Sequence, residues 1–347
     1  RFVVPAVTVE KNESGSAVVT SVATDRTAAL QQLRSAIEAM RSATRPRSAS
    51  ASSYSVAPLV PVDTYLAAVA TARDAVRSGQ LTKAVIARDI QITSDAPIDV
   101  HAVLLRLKAS FGSSYRYSFD NLIGASPELL VAVDNGTIRS HPLAGTTART
   151  GDPTTDARLA AELLASTKNQ IEHRVVVDAV HDTLLPFCSY LDWEAEPSVV
   201  AVANVQHLGT RVEGKLNRDT TAVELALLLS PTPALGGHPR DEALRLIAEH
   251  EGMNRGLYGG TIGWCDAQGN GTFAVTIRCA EFDDTRTRAR LFAGGGIVAD
   301  SDPLAELAET QASSASDVGV MTLRPNPSAM VSIFVACGVP NSFSNAP

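Results

Sequence analysis

Residues 291–310 read LFAGGGIVADSDPLAELAET. A short apolar strand ends at Ala293 and runs into Gly294, Gly295 and Gly296. Without Cβ atoms, these positions let a ligand approach the backbone and meet its N–H groups. Asp300, Ser301 or Asp302 can cap the helix that follows, and Pro303 suits its first turn. On that helix Glu306 and Glu309 are three residues apart and share a face. Two carboxylates on one face need water or a cation between them. The pattern of an anion-binding loop leading into a paired-carboxylate helix suits an acidic substrate held beside a hard divalent metal. A solvated helix end after a flexible loop has the same pattern.

The bulk numbers narrow the class. At 347 residues the chain is long enough for about two domains or one large α/β domain. A hydrophobic content of 45% supports a sizeable core, and a net charge of −7 argues against a nucleic-acid surface. Cys188, Cys265, Cys279 and Cys337 are far apart, with no metal-binding spacing. They read as thiols of a reducing compartment, which predicts a cytoplasmic protein. No apolar run is long enough to span a membrane. The chain begins at Arg1 without a signal peptide, and the expectation is that its native N-terminus is missing.

Upstream of the glycines, residues 1–60 read as an N-terminal remnant with a linker. Phe2–Val9 suggests an edge strand and Thr27–Met40 a helix, while the Ser/Ala/Arg-rich stretch 41–55 suggests a mobile loop. Asp63 or Thr64 is placed to cap a helix ending at Gly79. Residues 83–92, KAVIARDIQI, alternate as a strand. Ala84, Ile86, Arg88, Ile90 and Ile92 fall on one face, with Lys83, Val85 and Ala87 on the other. A lysine beginning such a face is unusual unless it reaches water. Glu128 lies at a strand mouth in GASPELL, and Asn135-Gly136 marks a hairpin. Residues 142–146, PLAGT, suggest a small-residue turn that can accept a ligand. Glu172 and His173 are expected in the first turn of a helix from Asn169, where a carboxylate favours the dipole. His207 lies in a strand–turn–strand segment, and most such histidines are structural. Tyr258 belongs to an expected strand, 257–264. Arg278 is expected inside a strand over 272–282, where a carboxylate is its natural partner. From Gln311 the helical period is lost, so 312–347 form an atypical tail after a catalytic domain at 61–311.

Together the motifs KAVIAR, GASPELL, PLAGT, KNQIEH, VQHLGT, SPTPALGG, RGLYGGTIGW, TIRCA and FAGGGIV, with the ELAE helix, closely resemble the chorismate-utilising enzymes. Within them the resemblance is to isochorismate synthases of the siderophore type, and it covers about residues 60–310. It implies an α+β fold, a single large domain with two mostly antiparallel sheets flanked by helices. It also implies Mg²⁺-dependent conversion of chorismate to isochorismate, for siderophore or menaquinone synthesis. Carried over by motif, Lys83 resembles the general base that activates water, and Glu128 the general acid that protonates the departing C4 hydroxyl. A lysine acts as a base only as the neutral amine, which burial or neighbouring cations favour. Glu172, Glu306 and Glu309 resemble the metal ligands. Arg278 and the Gly294–Gly296 backbone resemble a carboxylate cradle. Gly145, Thr146, His207 and Tyr258 resemble further substrate contacts. The enzyme so implied is a monomer without a glutaminase subunit.

The match has departures. The family carries a substrate-binding lysine four residues after the second helix Glu, whereas this chain has Ser313. Three other readings stay open: a salicylate synthase, an anthranilate or aminodeoxychorismate synthase component I, and a non-catalytic relative. By family pattern the ammonia-using enzymes carry glutamine where Lys83 stands.

Overall fold

The structure is a computed structural model and describes residues 2–11, 17–42, 53–112, 114–202 and 205–321. Contacts divide the chain into two units, Arg1–Ser48 and Ala49–Pro347. The first contains a hairpin of β1 (Val7–Lys11) and β2 (Ala17–Ser21), then α1 (Arg26–Ser42). The expected N-terminal strand therefore starts later, at Val7. Most of the expected linker lies outside the described residues. Its end, Tyr54–Pro58, is strand β3 and pairs with the main sheet, so the larger unit begins before residue 61.

In chain order the larger unit continues with α2 (Val62–Arg77), β4 (Lys83–Ser94), α3 (Val100–Ser110), β5 (Tyr115–Phe119), β6 (Leu122–Ser126) and β7 (Leu129–Asp134). Next come β8 (Thr137–His141), β9 (Leu143–Ala148), α4 (Pro153–Ala165), α5 (Thr167–Leu184), β10 (Cys188–Trp193) and β11 (Ser198–Ala201). Then follow β12 (Val205–Gly209), β13 (Val212–Leu216), α6 (Ala222–Leu229), β14 (Gly237–His238), α7 (Arg240–His250) and β15 (Thr261–Cys265). The last elements are β16 (Gly271–Val275), β17 (Cys279–Phe282), β18 (Arg288–Ile297) and α8 (Pro303–Met321).

Two large antiparallel sheets carry the fold. One has the order β14-β4-β18-β17-β6-β5, with β3 also on β4, and the other β10-β13-β8-β7-β16-β15. A three-stranded sheet, β11-β12-β9, accompanies them. The expected alternation along β4 holds. Ala84 and Ile86 pack with α2, α7 and α8, and Ile90 and Ile92 pack in the cluster that includes α3. Ala87 joins an inner cluster with Tyr258 and Phe292. Ile86 and Ile92 have no exposed surface, and truncating either to alanine costs about 2–5 kcal/mol. Helices thus cover the outer faces, and the inner faces are left to the site.

The outer edge of β4 is closed by side chains where strands are lacking. β14 pairs with Lys83 and Ala84, and β3 pairs with Ile90 to Ser94. Between them the Ala87 amide donates to the Glu251 carboxylate at 2.7 Å, and Arg255 donates to the Val85 carbonyl at 2.8 Å. Buried backbone groups need partners, and this pair supplies them without a strand.

Several sequence expectations are corrected. Pro61, not Asp63 or Thr64, is the N-cap of α2. Asp302 does cap α8, accepting from the Ala305 amide. The helix does not stop near Gln311 but runs to Met321, because Ala and Ser at 312–316 sustain a helix without an apolar period. The rest of the expected tail lies outside the described residues. The strand expected over 272–282 is two strands, in different sheets, and the strand expected over 257–264 begins only at Thr261, as β15 (Thr261–Cys265).

Candidate active site

Two of the places where the chain crosses between the two large sheets are neighbours. β6 belongs to one sheet and β7 to the other, and the same holds for β17 and β16. The crossings run side by side, joined by the Ala125 amide on the Arg278 carbonyl at 3.1 Å and the Val275 amide on the Glu128 carbonyl at 3.2 Å. Glu128 lies in the first crossing and Arg278 in the second. Arg278 takes φ +51°, a left-handed conformation that costs a non-glycine residue about 1–3 kcal/mol. The sheet change bends the chain there, and this explains the break in the expected continuous strand.

Beside the crossings is a cavity of about 740 Å³. It gathers all thirteen residues singled out from the sequence: Lys83, Glu128, Gly145, Thr146, Glu172, His207, Tyr258, Arg278, Gly294, Gly295, Gly296, Glu306 and Glu309. Lys83 comes from β4, and Glu128 from the mouth of β7 in the opposite sheet.

Lys83 does not reach water as a strand-mouth lysine would. It is 1% exposed, and its Nζ lies 2.9 Å from Glu172 Oε1. Glu172 is in the second turn of α5, whose N-cap is Ser166, so it faces Lys83 and does not serve the helix dipole. Glu128 is 2% exposed. Burial pushes its carboxyl up to about 8, while the Leu143 backbone and the Lys83 ammonium pull the other way. At neutral pH Glu128 therefore keeps its proton.

The glycines have a different role from the expected anion loop. Gly294, Gly295 and Gly296 are in β18, paired with Ala87, Ile86 and Val85 of β4. A Cβ on Gly295 would stand 2.8 Å from Glu306 Oε2, and one on Gly296 would collide with the Glu172 carboxylate and Lys83 Cε. They keep the strand bare so that two carboxylates and a lysine lie against it. PLAGT is likewise strand β9 rather than a turn. Gly145 (φ +75°) is the extra residue of a bulge opposite His207 and Leu208.

The bulge orients His207. Its Nδ1 is 3.3 Å from the Gly145 carbonyl and 3.1 Å from Thr146 Oγ1. Burial and the nearby Arg278 push this imidazole down to about 3, so it is neutral. The Gly145 carbonyl can only accept, so Nδ1 carries the hydrogen and Nε2 is an acceptor. Tyr258 stacks on Phe292 with ring centroids 4.8 Å apart, and burial pushes its phenol up to about 12, so it stays a donor.

Glu306 accepts from Ser301 Oγ at 2.7 Å and lies 3.6 Å from Lys168 Nζ. Burial and neighbouring carboxylates raise Glu306, and they push Glu309 up to about 7. Glu309 nonetheless opens to the cavity. Glu172, Glu306 and Glu309 thus repel one another around one space, and such an oxygen donor set fits a hard divalent cation. No three acidic, histidine or cysteine side chains among the described residues already form a ligating cluster. Glu172 and Glu306 are engaged by lysines instead.

Lys168 and Arg149 also line the cavity, and sequence reasoning missed both. Lys168 precedes Glu172 by four residues, so helical spacing alone places it on the same face. No comparable signal marks Arg149, which the fold brings in at the end of β9.

The sequence profile of the chorismate binding enzymes matches residues 1–313. A Mycobacterium tuberculosis protein assigned as isochorismate synthase MenF is 46% identical over 268 residues, covering 73% of this chain and 72% of that protein. Isochorismate synthase EntC of Escherichia coli is 42% identical over 247 residues, covering 70% of this chain and 63% of its own length. Among solved structures, the menaquinone-specific isochorismate synthase MenF of Escherichia coli superposes with a TM-score of 0.77 at 26% identity. That superposition covers 88% of this chain and 72% of the other.

Proposed function

Because this chain belongs to the chorismate binding enzymes, we propose that it converts chorismate to isochorismate, as its isochorismate synthase relatives are named to do. The observation that carries the reading is one cavity reached from opposite sheets by a buried lysine and a buried, protonated glutamate. As the neutral amine, Lys83 takes a proton from the water that adds at C2 of the ring. The ring double bonds shift, the C4–O bond breaks, and Glu128 supplies the proton that lets the C4 hydroxyl leave as water. The reaction is an isomerisation, because one water enters and one departs. Arg278 and Lys168 offer the cations a dicarboxylate requires, and His207 Nε2 accepts a hydroxyl hydrogen.

Glu172, Glu306 and Glu309 would hold Mg²⁺. When bound, the ion would neutralise substrate carboxylate charge. We take the enzyme to act as a cytoplasmic monomer, since water as nucleophile requires no ammonia-supplying subunit. Among the described residues no helix is long and apolar enough to cross a membrane.

Chorismate turnover measured with Mg²⁺ and after chelation, with chromatographic identification of the product, tests the proposal. Isochorismate formed only with Mg²⁺ supports it. Salicylate or anthranilate as the product, or no turnover with Mg²⁺ present, overturns it.

A further inference from the structure

Two of the three carboxylates that fit a divalent cation, Glu172 and Glu306, are held by this chain's own lysines. Lys83 pairs with Glu172 at 2.9 Å, with both side chains largely buried. Lys168 reaches Glu306 at 3.6 Å from a more exposed position. The first pair is the more consequential, because Lys83 is also the base. An ammonium buried against a carboxylate is costly to separate unless something replaces the partner. Gly296 leaves room for this pair and for no Cβ, so Glu172 and Lys83 lie pressed against the same strand.

Resting on the Mg²⁺ reading above, we propose that Lys83 is a stand-in for the cation. Glu172 holds the Lys83 ammonium while no metal is present, and it must give up Lys83 in order to ligate one. Metal entry and release of the base into the cavity are then one exchange at one carboxylate. The metal-free chain would be latched, with its base tied to the residue the cation needs. Because the coupling is reciprocal, anything that removes Lys83 from Glu172 strengthens metal binding by the factor with which metal weakens the ion pair.

The test is equilibrium Mn²⁺ binding to the full chain, followed by the free-ion electron paramagnetic resonance signal, with no substrate present. Lys83→Met is expected to bind Mn²⁺ about 10-fold more tightly than the parent chain, the order of effect of a close charge. Lys83→Gln is expected to do the same if the methionine variant folds poorly. Plain repulsion between Lys83 and the ion would also tighten binding, so each substitution is repeated in a Glu172→Gln background. There the gain is expected to shrink to about 2-fold or less, since no carboxylate remains to contest. Unchanged or weaker Mn²⁺ binding in both Lys83 variants overturns the stand-in, and so does an equal gain with and without Glu172. Failure of the parent chain and all variants to bind Mn²⁺ overturns the metal reading itself, and the inference with it.

Discussion

Glu251, the C-cap of α7, and Arg255, four residues on in the following loop, form a two-pronged ion pair at 2.6 and 2.7 Å inside the gap along the outer edge of β4. Arg255 also donates to the carbonyls of Leu235 and Val85, and Glu251 accepts from Ala87. Leu235 and Val85 both line the cavity. Glu251→Ala leaves a largely buried guanidinium without its carboxylate and is expected to cost about 3–5 kcal/mol. Chemical denaturation measures it. A paired Glu251→Leu, Arg255→Met protein should lose less than the single substitution. An equal or greater loss would show that the backbone bonds, not the burial of charge, dominate.

Glu128 gives a prediction with a worked sign. Turnover requires its protonated form, so the rate should fall as pH rises through about 8. Stability moves the same way. The unfolded chain releases this proton near pH 4.5, while the folded chain keeps it to about 8, so the folded state loses ground as pH rises between those values. Glu128→Gln should abolish turnover and raise the melting temperature, with a gain that is small near pH 5 and largest at pH 8. A gain that does not grow with pH would mean that the carboxyl titrates near its ordinary value.

Lys83→Gln retains much of the length and polarity but cannot accept a proton from water near neutral pH. Isochorismate formation should drop by at least ~10²-fold, the usual scale for a general base. Circular dichroism should be unchanged. Turnover near the parent rate would remove Lys83 as the base and reopen the ammonia-using readings.

Residue 313 lies in α8, four residues after Glu309. Ser313→Lys restores the cation that the resembled family carries there. KM for chorismate is expected to fall about 10-fold, the worth of one charged hydrogen bond, with kcat little changed. An unchanged KM would mean that Lys168 and Arg278 already neutralise the substrate.

Gly296→Ala places a methyl where Glu172 and Lys83 now lie. The expected result is loss of activity by ~10²-fold or more, the scale of a misplaced catalytic group, with the fold retained. The adjacent Gly294→Ala would meet only Ala87 and its neighbour's backbone, at 3.0–3.2 Å, and should be milder. Equal losses would argue that strand pairing, not the carboxylate, is what these glycines protect.

Much of this was legible in the sequence. The period-two pattern of 83–92 correctly separated Lys83 from the Ile86 face, because side-chain alternation is a local property of a strand. Asn135-Gly136 gave its hairpin for the same reason, with both residues at positive φ. Motif resemblance gathered thirteen residues that one cavity then received. What failed was non-local. Nothing in TIRCA shows that the strand changes sheets before Arg278, since each half reads equally well as strand. The three glycines looked like a loop because the composition of a loop and that of a strand cleared for buried carboxylates are alike. Arg255 and Glu251 have the spacing of a surface helix pair, and only the missing strand beside them explains why they are buried.

The seam where Glu128 and Arg278 lie side by side has a mechanical meaning. Both residues ride on the short links that tie one sheet to the other, so neither belongs to a rigid block of its own. A sliding of the sheets that packing tolerates would still pull the acid away from the base on β4. Substitutions far out on either sheet face should therefore be felt first as slower chemistry, and only later as lost folding.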